Sequence, residues 1–195
     1  MHYEAKQFTL FCKEHFPDFF LGRRVLDVGS GDINGNNRGL FTDCKYDGND
    51  LVPANNVTLV CKTSQLPIPE NTFDTIISTE CFEHDPEWQD SLRKIVQVLK
   101  PGGLFCFTCA STGRAEHGTR RTSPNESYGT LGNVEGWTDY YKNLTLEDVR
   151  SVIDLDVVFS IWDAYYNSIS KDLYFYGVKR IHPPIYTGEG CSQLK

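Results

Sequence analysis

The residues best suited to chemistry gather where apolar runs end. Arg23 to Gly35 reads RRVLDVGSGDING, an apolar run that passes into a glycine-rich turn carrying Asp27, Ser30 and Asn34. Gly29 and Gly31 have no side chain to obstruct a ligand and can adopt positive φ, so backbone can approach a bound group closely there. Asp50 ends a second run 19 residues after Gly31. A carboxylate at such a place accepts both hydrogen bonds of a ribose diol, whereas the competing reading is an ordinary turn residue of DGND. Turn and carboxylate together predict a nucleotide-like ligand. A third run ends at Thr79-Glu80 and leads to His84. Imidazole titrates near neutrality, so His84 and His117 are the two histidines placed to act as general base. The competing roles are that His84 orients its loop or caps the next helix, and that His117 lies on a surface loop. Arg114, Arg120 and Arg121 suit bidentate binding of a carboxylate or phosphate, and an exposed solvated loop explains them nearly as well. Tyr128, with Trp137, Tyr140 and Tyr141, supplies an aromatic wall or anchors that loop to the core.

These residues need elements to position them. Phe8, Phe11, Cys12, Phe16 and Phe19 recur at helical spacing, predicting one or two short helices over residues 4–20 that cover the core or close over the ligand. Strands are expected over Arg24–Val28, over CKYDGNDL to Asp50, over 57–61, over Phe73–Thr79 and over Leu104–Cys109, with only a brief helix at NNRGLF. Asp85 caps a helix whose first turn holds Pro86 and Glu87, and Trp88, Leu92, Ile95, Val96 and Leu99 form its apolar face. Lys100-Pro101-Gly102-Gly103 ends that helix in a turn. Residues 110–143 show no periodicity, and a loop of that length usually binds something or is disordered. Thr145 and Asp148 read as a capping box opening a helix through Ile153. Strands over Val157–Trp162 and Leu173–Val178 are close enough to pair antiparallel. Alternating strands and helices predict an α/β, doubly wound, seven-stranded, mostly parallel sheet of Rossmann-like kind with an antiparallel C-terminal hairpin. Residues 1–180 are expected to form one domain, with 1–22 as a helical cap, 110–144 as a substrate-side loop, and 181–195 as an irregular tail.

Composition narrows the function. A chain of 195 residues with 39% hydrophobic residues can bury one sizeable core. A net charge of −7 argues against nucleic acid or an anionic membrane as partner, since both are held by Lys and Arg. The sequence shows no apolar stretch long enough to span a bilayer and no signal peptide, which predicts a cytoplasmic protein. Seven scattered cysteines read as reduced, buried thiols. The one close pair, Cys106 and Cys109, points to opposite faces of a strand, and no metal site is expected.

A dinucleotide would want glycines at the first, third and sixth positions of the turn, but the sixth from Gly29 is Asn34. The chain instead resembles the class I S-adenosylmethionine-dependent methyltransferases of the small, type 11-like kind. The resemblance rests on VLDVGSGDING, YDGNDL, LPIPENTFDTIISTECFEH and LKPGG in that order, and covers residues 23–179. It implies S-adenosyl-L-methionine as cofactor and S-adenosyl-L-homocysteine as product. It implies that Asp27, Gly29 and Gly31 contact the amino-acid end and Asp50 the ribose. Thr63, Ser64 and Gln65 would then approach the adenine and Glu80 the methionine side, with Ser30, Asn34 and Leu51 also in the cofactor site. Two positions depart from the pattern: Ile33 replaces the third glycine, and Lys62 stands where an acidic residue often meets the adenine. The acceptor expected is a small or medium-sized molecule, anionic or a glycan precursor if Arg114, Arg120, Arg121 and Tyr128 face it. The alternative is a non-catalytic binding or partner subunit on the same fold.

Overall fold

Arg24–Val28 (β1) is a run of apolar residues broken by one aspartate, and four of its five side chains are buried because the sheet is covered on both faces. A computed structural model of the chain describes residues 2–182. Lys45–Asp50 (β2), Leu59–Val60 (β3) and Phe73–Thr79 (β4) run parallel to β1, as does a longer strand, Leu99–Ala110 (β5). Phe159–Asn167 (β6) and Asp172–Lys179 (β7) complete seven strands in the order β3-β2-β1-β4-β5-β7-β6. β7 lies antiparallel between β5 and β6. Chain order reverses between β1 and β4, and this switch point opens a crevice beyond the strand ends.

One face of the sheet packs against Trp88–Val98 (α2) and Leu146–Val152 (α4), around Leu26, Ile76, Phe105, Phe107 and Phe175. The other face packs against Tyr3–His15 (α1), with Phe8 and Cys12 lying over Val25, Ile77 and Tyr174. Cys106 belongs to the second core and Cys109 to the first, so the pair does point apart. α1 thus covers the core, while its N-cap residue, His2, reaches the crevice.

Several boundaries differ from the sequence-based expectation. Pro86 and Glu87 form a turn before α2, not its first helical turn. Asp85 Oδ1 accepts from Glu87 N at 2.8 Å and Asp85 Oδ2 from Ser91 Oγ at 2.6 Å, so the cap acts one turn early. Lys100-Pro101-Gly102-Gly103 does not separate helix from strand. It is an irregularity within β5, where Leu99 already pairs with Phe73 and the register shifts before Leu104 pairs with Thr75. Proline and a glycine at φ +77° fit a bulge as well as a turn, and local sequence does not separate the two. NNRGLF makes only a 3₁₀ turn, Arg38–Leu40, and β3 is shorter than the stretch 57–61. The expected box closes at both halves, Thr145 Oγ1 accepting from Asp148 N at 3.3 Å and Asp148 Oδ2 from Thr145 N at 2.9 Å. A further short helix, Leu155–Val158, capped by Asp154, occupies the start of the predicted strand at 157–162. The tail expected at 181–195 lies, from residue 183 onward, outside the described residues.

The 111–144 segment is tied down rather than loose. It contains a 3₁₀ turn at Pro124–Glu126 and one helical turn, Tyr128–Leu131 (α3). Its two ends meet where Ser111 Oγ donates to Leu144 O at 2.6 Å and Asn143 Nδ2 to Arg114 O at 2.9 Å. Lys142 N donates to Glu83 O at 2.9 Å, docking the segment across the crevice.

Candidate active site

The crevice holds a cleft walled by the ends of β1, β2 and β4, by the turn after β4, by α3 and by His2. Its floor is the glycine turn. Gly29 N and Ser30 N both donate to Asn49 O, at 2.9 and 3.0 Å, which ties the turn to the neighbouring strand end. Gly29 sits at φ +70°, and a Cβ there would come within 2.5 Å of Cys81 Sγ. A Cβ on Gly31 would lie 2.8 Å from Asp50 Oδ2 and 2.1 Å from the Tyr128 ring. Both positions therefore require glycine for space, and Gly29 for its left-handed backbone as well.

Asp50 is pinned beside that turn. Its Oδ2 accepts from Gly31 N at 2.9 Å and its Oδ1 from Leu51 N at 2.7 Å. Each oxygen keeps a further lone pair, so the carboxylate is oriented without being exhausted. Burial pushes Asp50 upward in pKa and these two N–H groups oppose the rise. Asp27 lies underneath the turn and does not line the cleft. Tyr46 Oη donates to it at 2.6 Å and Asn56 Nδ2 at 3.3 Å, while burial raises Asp27 to about 7. Asn56 also donates to Ser30 O at 3.0 Å and accepts from Ser30 Oγ at 3.3 Å, so Ser30 too faces away from the cleft into this clamp. Sequence reasoning missed Asn56. Its positive φ of 72° in the Pro53–Val57 connection is the one local trait that marks it.

Asn34, Leu51 and Thr63 line the cleft, and Thr63 Oγ1 donates to Asn49 Oδ1 at 2.8 Å. Ser64 and Gln65, expected beside them, face the outer surface along α2, where Ser64 Oγ donates to Glu87 Oε2 at 2.5 Å. A 3₁₀ turn at Thr63–Gln65 splays the three side chains apart. Lys62 does not obstruct the site. Its Nζ donates to Glu87 Oε1 at 2.6 Å and sits 4.4 Å from the centre of the Trp137 ring, linking β3 to the overlying segment.

At the opposite end, Glu80 stands at φ +56° with Oε1 accepting from Thr108 Oγ1 at 2.7 Å. His2 Nε2 lies 3.1 Å from Glu80 Oε2 and 2.9 Å from Asp172 Oδ2. Burial opposes a charge on His2, but contact with the Asp172 and Glu80 carboxylates outweighs it and carries the imidazole up to about 10. Burial likewise opposes the Glu80 charge, and His2 more than compensates, holding that carboxyl below its ordinary range. His2 carries no sequence signal for this position, because its partners lie far away along the chain.

His84 and His117 do come together across the cleft, their ring centres 4.9 Å apart. His84 is buried, and burial first, then His117 beside it, lowers it to about 3. An imidazole so weakly basic is a poor proton acceptor near neutrality, which removes the ground for reading His84 as a general base. It stays neutral and keeps a lone pair. Glu83, unremarked in the sequence, is fully buried between these groups and Glu80, and burial followed by the Glu80 charge pushes its carboxyl far up.

The arginines divide. Arg114 lines the cleft but is committed, with Nη1 3.6 Å from Asp172 Oδ1 and donating to Ser170 O. Arg120 and Arg121 lie outside it on the exposed side of the loop, paired with Asp139 and Glu116. Tyr128 lies over Gly31.

Residues 26–107 match the methyltransferase domain family, the stretch that contains the glycine turn, Asp50 and Glu80. Residues 26–107 thus carry a methyltransferase domain. The chain is 28% identical over 124 residues to the ubiquinone/menaquinone biosynthesis C-methyltransferase UbiE of Vibrio cholerae, covering 53% of this chain and 45% of that protein. It is 34% identical over 102 residues to a sterol 24-C-methyltransferase of Aspergillus fumigatus, covering 43% and 27%. The matched part is thus under half the length of these relatives. Among solved structures, it superposes with a TM-score of 0.60 on a phosphoethanolamine N-methyltransferase of Haemonchus contortus bound to phosphomonomethylethanolamine and S-adenosylhomocysteine. Identity there is 18%, over 89% of this chain and 52% of that one. The same TM-score and identity hold for the 1,6-didemethyltoxoflavin N1-methyltransferase of Burkholderia thailandensis, over 90% and 78%. These likenesses bear on the fold, and the seven-stranded, mostly parallel sheet with an antiparallel C-terminal hairpin is common ground between expectation and structure.

Proposed function

We propose that this chain transfers a methyl group from S-adenosylmethionine to a small or medium-sized acceptor held beneath the 111–144 segment. The observation that carries the reading is Asp50, fixed by two backbone N–H groups beside a turn that only glycine fits, at the switch point of the sheet. When bound, the cofactor supplies a methyl group on a positively charged sulfur. The chain's part is to bind and align, since in-line displacement gains much of its rate from orientation. Asp50 accepts from the ribose diol, Asn34, Leu51 and Thr63 wall the nucleoside, and Glu80 faces the cationic amino-acid end. Tyr128 and Trp137 exclude water from above.

The relatives' named activities include transfer to carbon and to nitrogen, so the cleft itself must select the acceptor. Beside neutral polar groups such as Asn34, Thr63 and Ser127, its lining carries carboxylates, imidazoles and an arginine already paired, and no free cation faces it among the described residues. That supports a neutral or cationic acceptor over the anionic one expected from the arginines. Among the described residues no helix is long and apolar enough to cross a membrane, and six cysteines are free, which supports a reducing, cytoplasmic setting. His2 completing the cleft supports residues 1–180 as the working unit.

Thermal shift tests the cofactor. A ligand at about a hundred times its dissociation constant stabilises the folded state by roughly 2.7 kcal/mol. S-adenosylhomocysteine should raise the midpoint and NAD should not, and Asp50→Ala should abolish the rise. No response to S-adenosylhomocysteine sinks the reading. Incorporation of labelled methyl into a panel of neutral, cationic and anionic acceptors then identifies the acceptor class.

A further inference from the structure

Glu83, His84 and His117 form a cluster that the cofactor reading leaves without a role. One carboxylate oxygen and one ring nitrogen from each histidine lie within 4.8 Å of one another. Both oxygens of Glu83 are buried and pair with no side chain, and buried Nδ1 of His84 has no hydrogen-bond partner. An unpaired buried carboxyl is costly, at about 1–3 kcal/mol or more, and a chain tolerates it where something else completes it. His117 is already oriented for such a role. Its Nδ1 lies 3.1 Å from the carbonyl of Ala115, which can only accept, so Nδ1 is the donor there and Nε2 is the ring nitrogen left for a ligand. The hydroxyl of Tyr141 donates to the same carbonyl at 3.1 Å, and its ring stands 5.0 Å from that of His117. This is the outer support that metal-bound histidines have.

We propose that Glu83, His84 and His117 bind a divalent first-row transition-metal ion on the acceptor side of the cleft. Two imidazoles and one carboxylate suit zinc, manganese, iron or cobalt rather than magnesium or calcium, which prefer all-oxygen sites. Three protein ligands leave coordination positions open. His84 and His117 both line the cleft, so those positions are accessible to an oxygen or nitrogen of the acceptor. The other titratable cluster, His2 with Glu80 and Asp172, is different in kind, because a protonated imidazole already bridges its two carboxylates. Metal binding stands on these side chains alone, while use of the ion in methyl transfer rests on the function proposed above.

The test uses the full chain stripped with chelator and dialysed against Co²⁺, read by bound cobalt and its visible d–d absorption. One equivalent is expected in the native chain, with affinity at least roughly tenfold weaker in His117→Ala and in Glu83→Gln, and unchanged in His2→Ala. His117 lies on the surface segment, so its variant should keep the native circular dichroism and serves if Glu83→Gln does not fold. Less than one equivalent, or equal binding by His117→Ala, overturns the proposal. Cobalt binding lost in His117→Ala, without any S-adenosylhomocysteine shift in the native chain, would keep the metal site and remove the methyl-transfer reading instead.

Discussion

At the residue scale, four side chains show how burial changes what a residue type can do. Asp50 and Asp27 are both buried aspartates near one turn, yet only Asp50 faces the cleft, because Tyr46 and Asn56 absorb Asp27 from below. His84 loses its basicity to burial, while His2 gains by pairing. The His2 pairing leaves a signature in pH. Its folded value of about 10 exceeds the unfolded 6.5, so the stability it contributes is full below 6.5 and is lost as pH rises through 10. Denaturant midpoints of the native chain should therefore fall across that window more steeply than those of His2→Ala. Parallel profiles would mean that the imidazole is not bridging Glu80 and Asp172.

Elements position these residues through contacts tighter than strand pairing alone. The loop after β4 lies on the loop after β1 so closely that Cys81 fills the place of a Gly29 side chain. Gly29→Ala must therefore bear a left-handed backbone, about 1–2 kcal/mol, as well as the clash with Cys81. Chemical denaturation should show a loss of roughly 2–4 kcal/mol, and adding Cys81→Gly should restore the steric share. Strict additivity of the two substitutions would remove the clash from the explanation. Much of this level was legible beforehand. β1, β4, the apolar face of α2 and the Thr145–Asp148 box follow from nearest-neighbour rules of periodicity and capping. What local rules misplace is the Pro-Gly-Gly irregularity in β5, since only the strand beside it shows whether such residues turn the chain or bulge it.

For the whole molecule, the 111–144 segment closes the cleft through Tyr128 on Gly31, Trp137 on Lys62 and Lys142 on the Glu83 carbonyl. A cofactor bound beneath it should tighten it. Trypsin cleavage at the exposed Arg120–Arg121 pair should slow on adding S-adenosylhomocysteine, and a rate unaffected by saturating ligand would show that the segment does not cover the ligand. By itself the sequence determined the order of strands along the chain, the glycine turn and the carboxylate of Asp50 beside it, because backbone freedom and side-chain periodicity act over a few neighbouring residues. Only the tertiary structure decided that His2 meets Glu80 and Asp172, that Arg120 and Arg121 leave the site, and that Glu83 joins His84 and His117. Those placements depend on strand order and on how a long segment docks, and no local preference of the chain encodes a meeting between residues so far apart.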